Sequence, residues 1–228
     1  MNKKILVVDD MEINRQSASL LSDKGYQVNT ASDFSEGVEI LGVNPFTSPE
    51  EGFKSDYFAV LTDLMMPIGG HGKRSPCNSG LDNITTAGYP LALFASRIEV
   101  PNIAILTSMN HHDSPDAAVF DMFHSYSEAK DEEGYTRRSR PLFNLNGSRF
   151  MMFDDDDIKS LCLRKDGSFG SDYYDLSEEK RDNKYVTEIE RGNYGSYRNP
   201  VHAKNWVSVL EILLDDSNLK HVRQPVAE

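Results

Sequence analysis

The stretch Lys3-Lys4-Ile5-Leu6-Val7-Val8-Asp9-Asp10 sets four consecutive aliphatic residues between two lysines and two aspartates. A short, uninterrupted apolar run is what a strand buried on both faces of a parallel sheet requires; a strand with one wet face would alternate instead. The same reading extends outward. Between Glu12 and Lys24, residues Ile13, Leu20 and Leu21 share one helical face, and Gly25 stands where a helix C-terminus is commonly capped. Tyr26 to Thr30 alternates as a second strand, and Asp33 can cap a helix carrying Phe34, Val38 and Leu41 that ends before Pro45. Tyr57 to Leu61 is a third buried strand running into Thr62-Asp63, followed after a polar, glycine-rich loop by a helix over about Tyr89 to Arg97. Asn102 to Thr107 reads as a fourth strand, and Ser114-Pro115-Asp116 starts a helix reaching about Phe123. Ser148 to Phe153 is the fifth strand, and Trp206, Val209, Leu210 and Leu213 mark a last amphipathic helix. This order predicts an α/β fold, a doubly wound five-stranded parallel sheet with helices on both faces.

The rest of the chain reads as additions to that frame. Residues 1–228 are expected to form a single domain with insertions at about 44–54, 69–88 and 125–200, the main one over 154–200. Ile158 to Asn199 is rich in Asp, Glu, Tyr, Gly and Lys and too poor in aliphatics for a core of its own, so a small hairpin is expected there. The 24 Lys and Arg against 36 Asp and Glu give a net charge of −12, which argues against a nucleic-acid surface, because neutralising phosphates takes clustered cations. No apolar run approaches the ~18 residues of a membrane span, and no charged-then-apolar leader opens the chain. Cys77 and Cys162, the only cysteines, are expected as free thiols in a cytoplasmic protein.

In parallel sheets with helices on both faces, ligands gather at the carboxyl ends of the strands. Asp9 and Asp10 end the first strand, Asp63 follows the third and Thr107 ends the fourth, so one rim collects three carboxylates and a hydroxyl. Two like charges ~4 Å apart repel by about 4 kcal/mol at an effective dielectric near 20, and a hard divalent cation relieves that repulsion. An aspartate at a strand end can also simply open a turn, but three on one rim are harder to explain that way. A carboxylate so placed is a competent nucleophile toward a phosphoryl group.

Ile5-Leu6-Val7-Val8-Asp9-Asp10-Met11-Glu12-Ile13-Asn14-Arg15-Gln16, Gly25-Tyr26-Gln27-Val28, Ala31 and Asp63-Leu64-Met65-Met66-Pro67 together resemble the receiver domain of two-component response regulators, and Ile103 to Thr107 extends the resemblance. The resemblance implies a flavodoxin-like strand order 2-1-3-4-5. It implies Asp63 as phosphoacceptor, Asp9 and Asp10 as ligands of Mg2+ (or Mn2+), Met65 as the donor of a backbone carbonyl to that metal, and Thr107 as the switch hydroxyl. It further implies a sensor histidine kinase or phosphotransfer protein upstream and a protein partner downstream, with room for a homodimer; the charge balance and the lack of a long apolar run add the expectation of no nucleic acid or membrane partner. Slow autodephosphorylation would then be the only enzymatic activity.

The chain departs from the family at its lysine, which usually follows the fifth strand directly and precedes a proline. Here Phe153 is followed by Asp154-Asp155-Asp156-Asp157. Lys204, which precedes the last helix, is the best candidate for the phosphoryl-contacting residue, with Lys159 second. Asn205 stands in place of the proline, so a cis peptide is not expected, and Val201 stands where many receivers carry an aromatic switch. His111-His112 and the Asp154 to Asp157 run are additional polar features of the same rim, Asp154 being a further candidate ligand. With only Asp215 to Glu228 beyond the last helix, the expected function is a stand-alone phospho-accepting receiver that signals by protein contact. The alternatives are a pseudo-receiver acting as a phosphorylation-independent scaffold, and a Mg2+-dependent phosphohydrolase; the second acid such hydrolases carry two residues after the nucleophile is Met65 here.

Overall fold

The computed structural model describes residues 3–44, 53–70, 84–107, 125–130, 136–139, 142–154, 157–158, 160–164, 166–171 and 202–215. Its strands are β1 (Lys4–Val8), β2 (Gln27–Ala31), β3 (Tyr57–Asp63), β4 (Asn102–Leu106), β5 (Ser125–Lys130), β6 (Thr136–Ser139), β7 (Phe143–Leu145), β8 (Ser148–Phe153), β9 (Leu161–Leu163), β10 (Phe169–Ser171) and β11 (His202–Ala203). Its described helices are α1 (Glu12–Ser17), α2 (Ser19–Asp23), α3 (Phe34–Ile40), α4 (Gly88–Arg97) and α5 (Trp206–Leu214). No described helix is long and apolar enough to cross a membrane.

The main sheet has the order β2-β1-β3-β4-β8-β7. Its first five members are parallel, with β8 as the fifth, which is the flavodoxin-like order 2-1-3-4-5 of an α/β doubly wound fold. The pleat explains why Ile5 to Val8 had to be apolar throughout. Ile5 and Val7 face a layer formed with Leu21, Leu106, Phe153 and the α5 residues Trp206, Val209, Leu210 and Leu213. Leu6 and Val8 face the opposite layer, with Val38 of α3 and Leu91 and Ala95 of α4.

Local chemistry sets the element ends. Asp33 caps α3 by accepting from the Glu36 N–H at 2.8 Å, and Gly25 closes the turn after α2 at φ +89°, a left-handed conformation glycine adopts freely. The single helix expected over Glu12 to Lys24 is instead divided at Ala18. Ser17 Oγ shares its one proton between the Asn14 carbonyl at 2.8 Å and the Lys204 carbonyl at 2.7 Å, and Ser19 Oγ donates to the Gln16 carbonyl at 2.7 Å; such serine back-bonds compete with the helical ladder. Of its expected apolar face, Leu21 is buried while Ile13 and Leu20 are half-buried.

A sixth strand, unexpected from the sequence, borders the sheet. β7 pairs antiparallel with β8 through the two-residue turn Asn146-Gly147, where both residues have positive φ (51° and 87°). That is the requirement of a type I′ hairpin, and Asn-Gly is its strongest sequence signal. The hairpin expected between Ile158 and Asn199 is seen as β9 and β10, and β11 completes a separate three-stranded antiparallel sheet of order β10-β9-β11. The helix expected over 114–123 lies outside the described residues.

The segment after β3 returns to the sheet at Thr85, which exchanges backbone hydrogen bonds with Met66 at 2.9 and 3.1 Å. Gly88, at the start of α4, then donates to the Leu64 carbonyl at 3.0 Å. A β-carbon at Gly88 would overlap the Asp63 carbonyl oxygen and lie 2.8 Å from Leu64 Cα, so the approach of α4 to the end of β3 depends on glycine. Gly88→Ala is expected to lower stability by about 1–3 kcal/mol, read as a lower urea midpoint, because rigid backbone must move to admit the methyl group. An unchanged midpoint would contradict this close packing.

Candidate functional site

Five parallel strands present their carboxyl ends along one rim, so the residues just past Val8, Thr62 and Leu106 are neighbours despite their separation in sequence. Oxygens of Asp9, Asp10 and Asp63 lie within 4.8 Å of one another. The Lys204 ammonium enters this group from the segment between β11 and α5. Its Nζ is 2.8 Å from Asp9 Oδ2 and 2.8 Å from Asp63 Oδ1. Asp9, Asp63 and Lys204 are all buried, whereas Asp10 is half-buried.

The three carboxylates are not equivalent. Asp9 is anchored: its Oδ1 accepts from the Met11 N–H at 2.9 Å and from Asn14 Nδ2 at 3.0 Å, and its Oδ2 takes the aligned bond from Lys204. Asp63 Oδ1 faces Lys204 as an ion pair without an aligned hydrogen-bond donor. Burial pushes the Asp63 carboxyl up to about 6; Lys204 opposes that shift, and the charges of Asp9 and Asp10 add to it. Asp10 is also raised, first by partial burial and then by Asp9. Three carboxylates against one ammonium leave net negative charge in a water-poor site. The donors are all hard oxygens, and Asp63 Oδ1 has no aligned hydrogen-bond donor beside its ion pair, which fits a small divalent cation that keeps several waters.

Thr107 follows β4 directly, is buried, and donates its N–H to the Phe153 carbonyl at 3.0 Å. Asp63 pairs in register with Leu106, which places Thr107 one residue beyond that pair on the neighbouring strand. Met65, two residues past Asp63, is half-buried against the layer formed by α3 and α4. Asp154 does not join the acidic group found among the described residues. Its N–H donates to Asp157 Oδ2 at 2.9 Å and its Oδ1 accepts from the Asp157 N–H at 3.1 Å, a reciprocal turn that ends β8. His111, His112, Lys159 and Val201 lie outside the described residues.

Several residues of the site were not singled out from the sequence. Arg15 Nη1 donates to the carbonyls of Asp9 and Asp10 at 2.7 and 2.8 Å, holding the turn after β1. Asn14 and Ser17 are buried polar residues three apart on α1 and bond to the Lys204 segment. The Trp206 ring centroid is 5.6 Å from Lys204 Nζ, and its Nε1 donates to the Asn14 carbonyl at 2.8 Å. Polar residues at helical spacing immediately after an acidic pair were the available signal. Nothing local in the sequence said that they face residues almost two hundred positions away.

Folded Asp63 holds its proton more tightly than the unfolded chain does, so in Mg2+-free buffer this group makes stability fall as pH rises from 3.8 to about 6. Asp63→Asn removes the titration. The variant is therefore expected to gain stability relative to the parent across that window, by a few kcal/mol at most, in urea unfolding. A difference that stays constant with pH would contradict the raised carboxyl.

No protein-family model matches this sequence, and no curated protein matches it. Among solved structures, the chain is similar to a CheY-like response regulator receiver domain protein of Methanospirillum hungatei at 18% identity, covering 54% of this chain and 74% of that one with a TM-score of 0.35. It is similar to a response regulator receiver domain protein of Clostridium thermocellum at 29% identity, with coverages of 53% and 74% and a TM-score of 0.31. The response regulator TrrA of Thermotoga maritima, solved in complex with Mg2+ and BeF, gives 22% identity, coverages of 51% and 79% and a TM-score of 0.31. The structural neighbours of this chain are thus response regulator receiver domains of the CheY-like kind.

Proposed function

We propose that this chain is a phospho-accepting receiver of two-component signalling, working in the cytoplasm. We read residues 1–228 as one such domain into which about 44–54, 69–88 and 125–200 are inserted. The observation that carries the proposal is the clustering of Asp9, Asp10 and Asp63 within 4.8 Å around a Lys204 ammonium 2.8 Å from both Asp9 and Asp63.

In this reading Asp63 is the nucleophile, because Asp9 is bound by three donors while Asp63 Oδ1 has none aligned. A carboxylate oxygen of Asp63 attacks phosphorus and forms an acyl phosphate. The bond from phosphorus to the donor breaks, and the donor, a phosphohistidine of a kinase or phosphotransfer protein, leaves with that electron pair and takes up a proton. Lys204 neutralises the charge that gathers on the phosphoryl oxygens, and Thr107 hydrogen-bonds the phosphoryl group once it is in place. Asp9, Asp10, Asp63 and the Met65 carbonyl would hold Mg2+ or Mn2+, which would supply positive charge against the negative charge that develops during transfer. The rearrangement around Thr107 would then be read by a downstream protein.

The test uses the single tryptophan, Trp206, whose ring lies 5.6 Å from the lysine Nζ, as reporter. Incubation with millimolar Mg2+ and beryllofluoride is expected to change its emission, and a small phosphodonor is expected to add one phosphoryl group by mass. Asp63→Asn should abolish both. Lys204→Ala should slow the phosphodonor reaction on the order of a hundredfold, and Lys159→Ala should leave it unchanged. Silence of the parent at saturating Mg2+ would point to a phosphorylation-independent binding role, and turnover of many phosphoryl groups per chain to a phosphohydrolase.

A further inference from the structure

Lys204 arrives at the site without support from the main sheet. It follows β11, a two-residue strand whose partner is β9 in the small antiparallel sheet. A lysine stem is flexible, so an ammonium placed within 2.8 Å of two carboxylates needs its backbone fixed. The fixing comes from α1. The Lys204 N–H donates to Asn14 Oδ1 at 2.9 Å, and the Lys204 carbonyl accepts from Ser17 Oγ at 2.7 Å. The other end of the same amide, Asn14 Nδ2, donates to Asp9 Oδ1 at 3.0 Å. The Asn14 carbonyl takes the Trp206 indole N–H at 2.8 Å. Asn14 is itself buried, so neither face of its amide has water as a substitute partner.

We propose that Asn14 is the positioning residue of the phosphorylation site, its one side-chain amide setting the Asp9 carboxylate and the Lys204 main chain in register across the gap between α1 and β11. The proposal deepens the phospho-acceptor reading and rests on it. The two hydrogen bonds are directional and opposite, donor to Asp9 and acceptor from Lys204, so only an amide of this length serves both. Ser17 provides the second point of attachment, at the carbonyl of the same residue. Sliding of the Lys204 segment relative to α1 would move the ammonium away from Asp63 while leaving Asp9, Asp10 and Asp63 on their strand ends.

The experiment compares the full-length parent with Asn14→Ala and Ser17→Ala, at a temperature where circular dichroism shows all three folded and with Mg2+ saturating. The rate of mass gain from acetyl phosphate is read together with acrylamide quenching of Trp206. Asn14→Ala is expected to react ten- to a hundredfold more slowly, the scale expected of a small misplacement of a reacting group, and to show stronger quenching. Ser17→Ala should shift both readouts in the same direction by less. A merely structural asparagine would lower the melting temperature but leave the rate of the folded protein within twofold of the parent, and that result overturns the proposal. If the parent itself gains no mass, the phospho-acceptor reading fails, and quenching alone then decides the clamp: increased accessibility in Asn14→Ala upholds it, and parent-like quenching overturns it.

Discussion

The site turns on one buried ammonium shared by two buried carboxylates. Asp9 and Asp63 end neighbouring strands of the sheet, and without a cation between them their repulsion in a water-poor environment would oppose the close packing of β1 against β3. Lys204 offsets part of that cost. It does so unevenly, binding Asp9 along an aligned hydrogen bond and Asp63 as a less well aligned ion pair at 2.8 Å. The unevenness leaves Asp9 firmly anchored and Asp63 poorly solvated, with a carboxyl pushed up to about 6.

The two hydrophobic layers explain why this arrangement can be held. Ile5 and Val7 on one side and Leu6 and Val8 on the other lock β1 between helical layers, so Asp9 leaves the strand from a rigid base. Trp206 is fully buried in the α5 layer and also bonds to the Asn14 carbonyl, which ties the helix that follows Lys204 to the helix that follows the acidic pair. Packing and polar positioning therefore share residues. Gly88 makes the corresponding connection on the other layer, letting α4 approach the backbone of Asp63 and Leu64.

Described elements outside the five parallel strands join them at the rim and at the sheet edge. The Met66 and Thr85 bridge returns the chain to the sheet immediately beyond Asp63. β7 covers the flank of β8 that would otherwise be the edge, and β11 delivers the lysine. The parallel order of β2, β1, β3, β4 and β8 is undisturbed by these elements.

What was readable in the sequence follows local rules. Apolar runs of four or five residues showed strands buried on both faces, Asp33 and Gly25 marked helix ends, and the rule that sites gather at strand carboxyl ends selected Asp9, Asp10, Asp63 and Thr107. The Asn146-Gly147 turn was equally local and equally readable, although only the structure drew attention to it. The division of α1 from α2 was less so, because serine back-bonding competes with helical propensity by small margins. Lys204 could be proposed from its place before the last helix, but its contact with Asp9, 195 positions away, was decided by tertiary structure. So was the role of Asn14, because a hydrogen bond between distant segments leaves no periodicity in either of them. Local sequence determined the five parallel strands and the rim of acids; only tertiary structure decided the β7 edge, the contact of Lys204 with those acids and the side chain that holds it there.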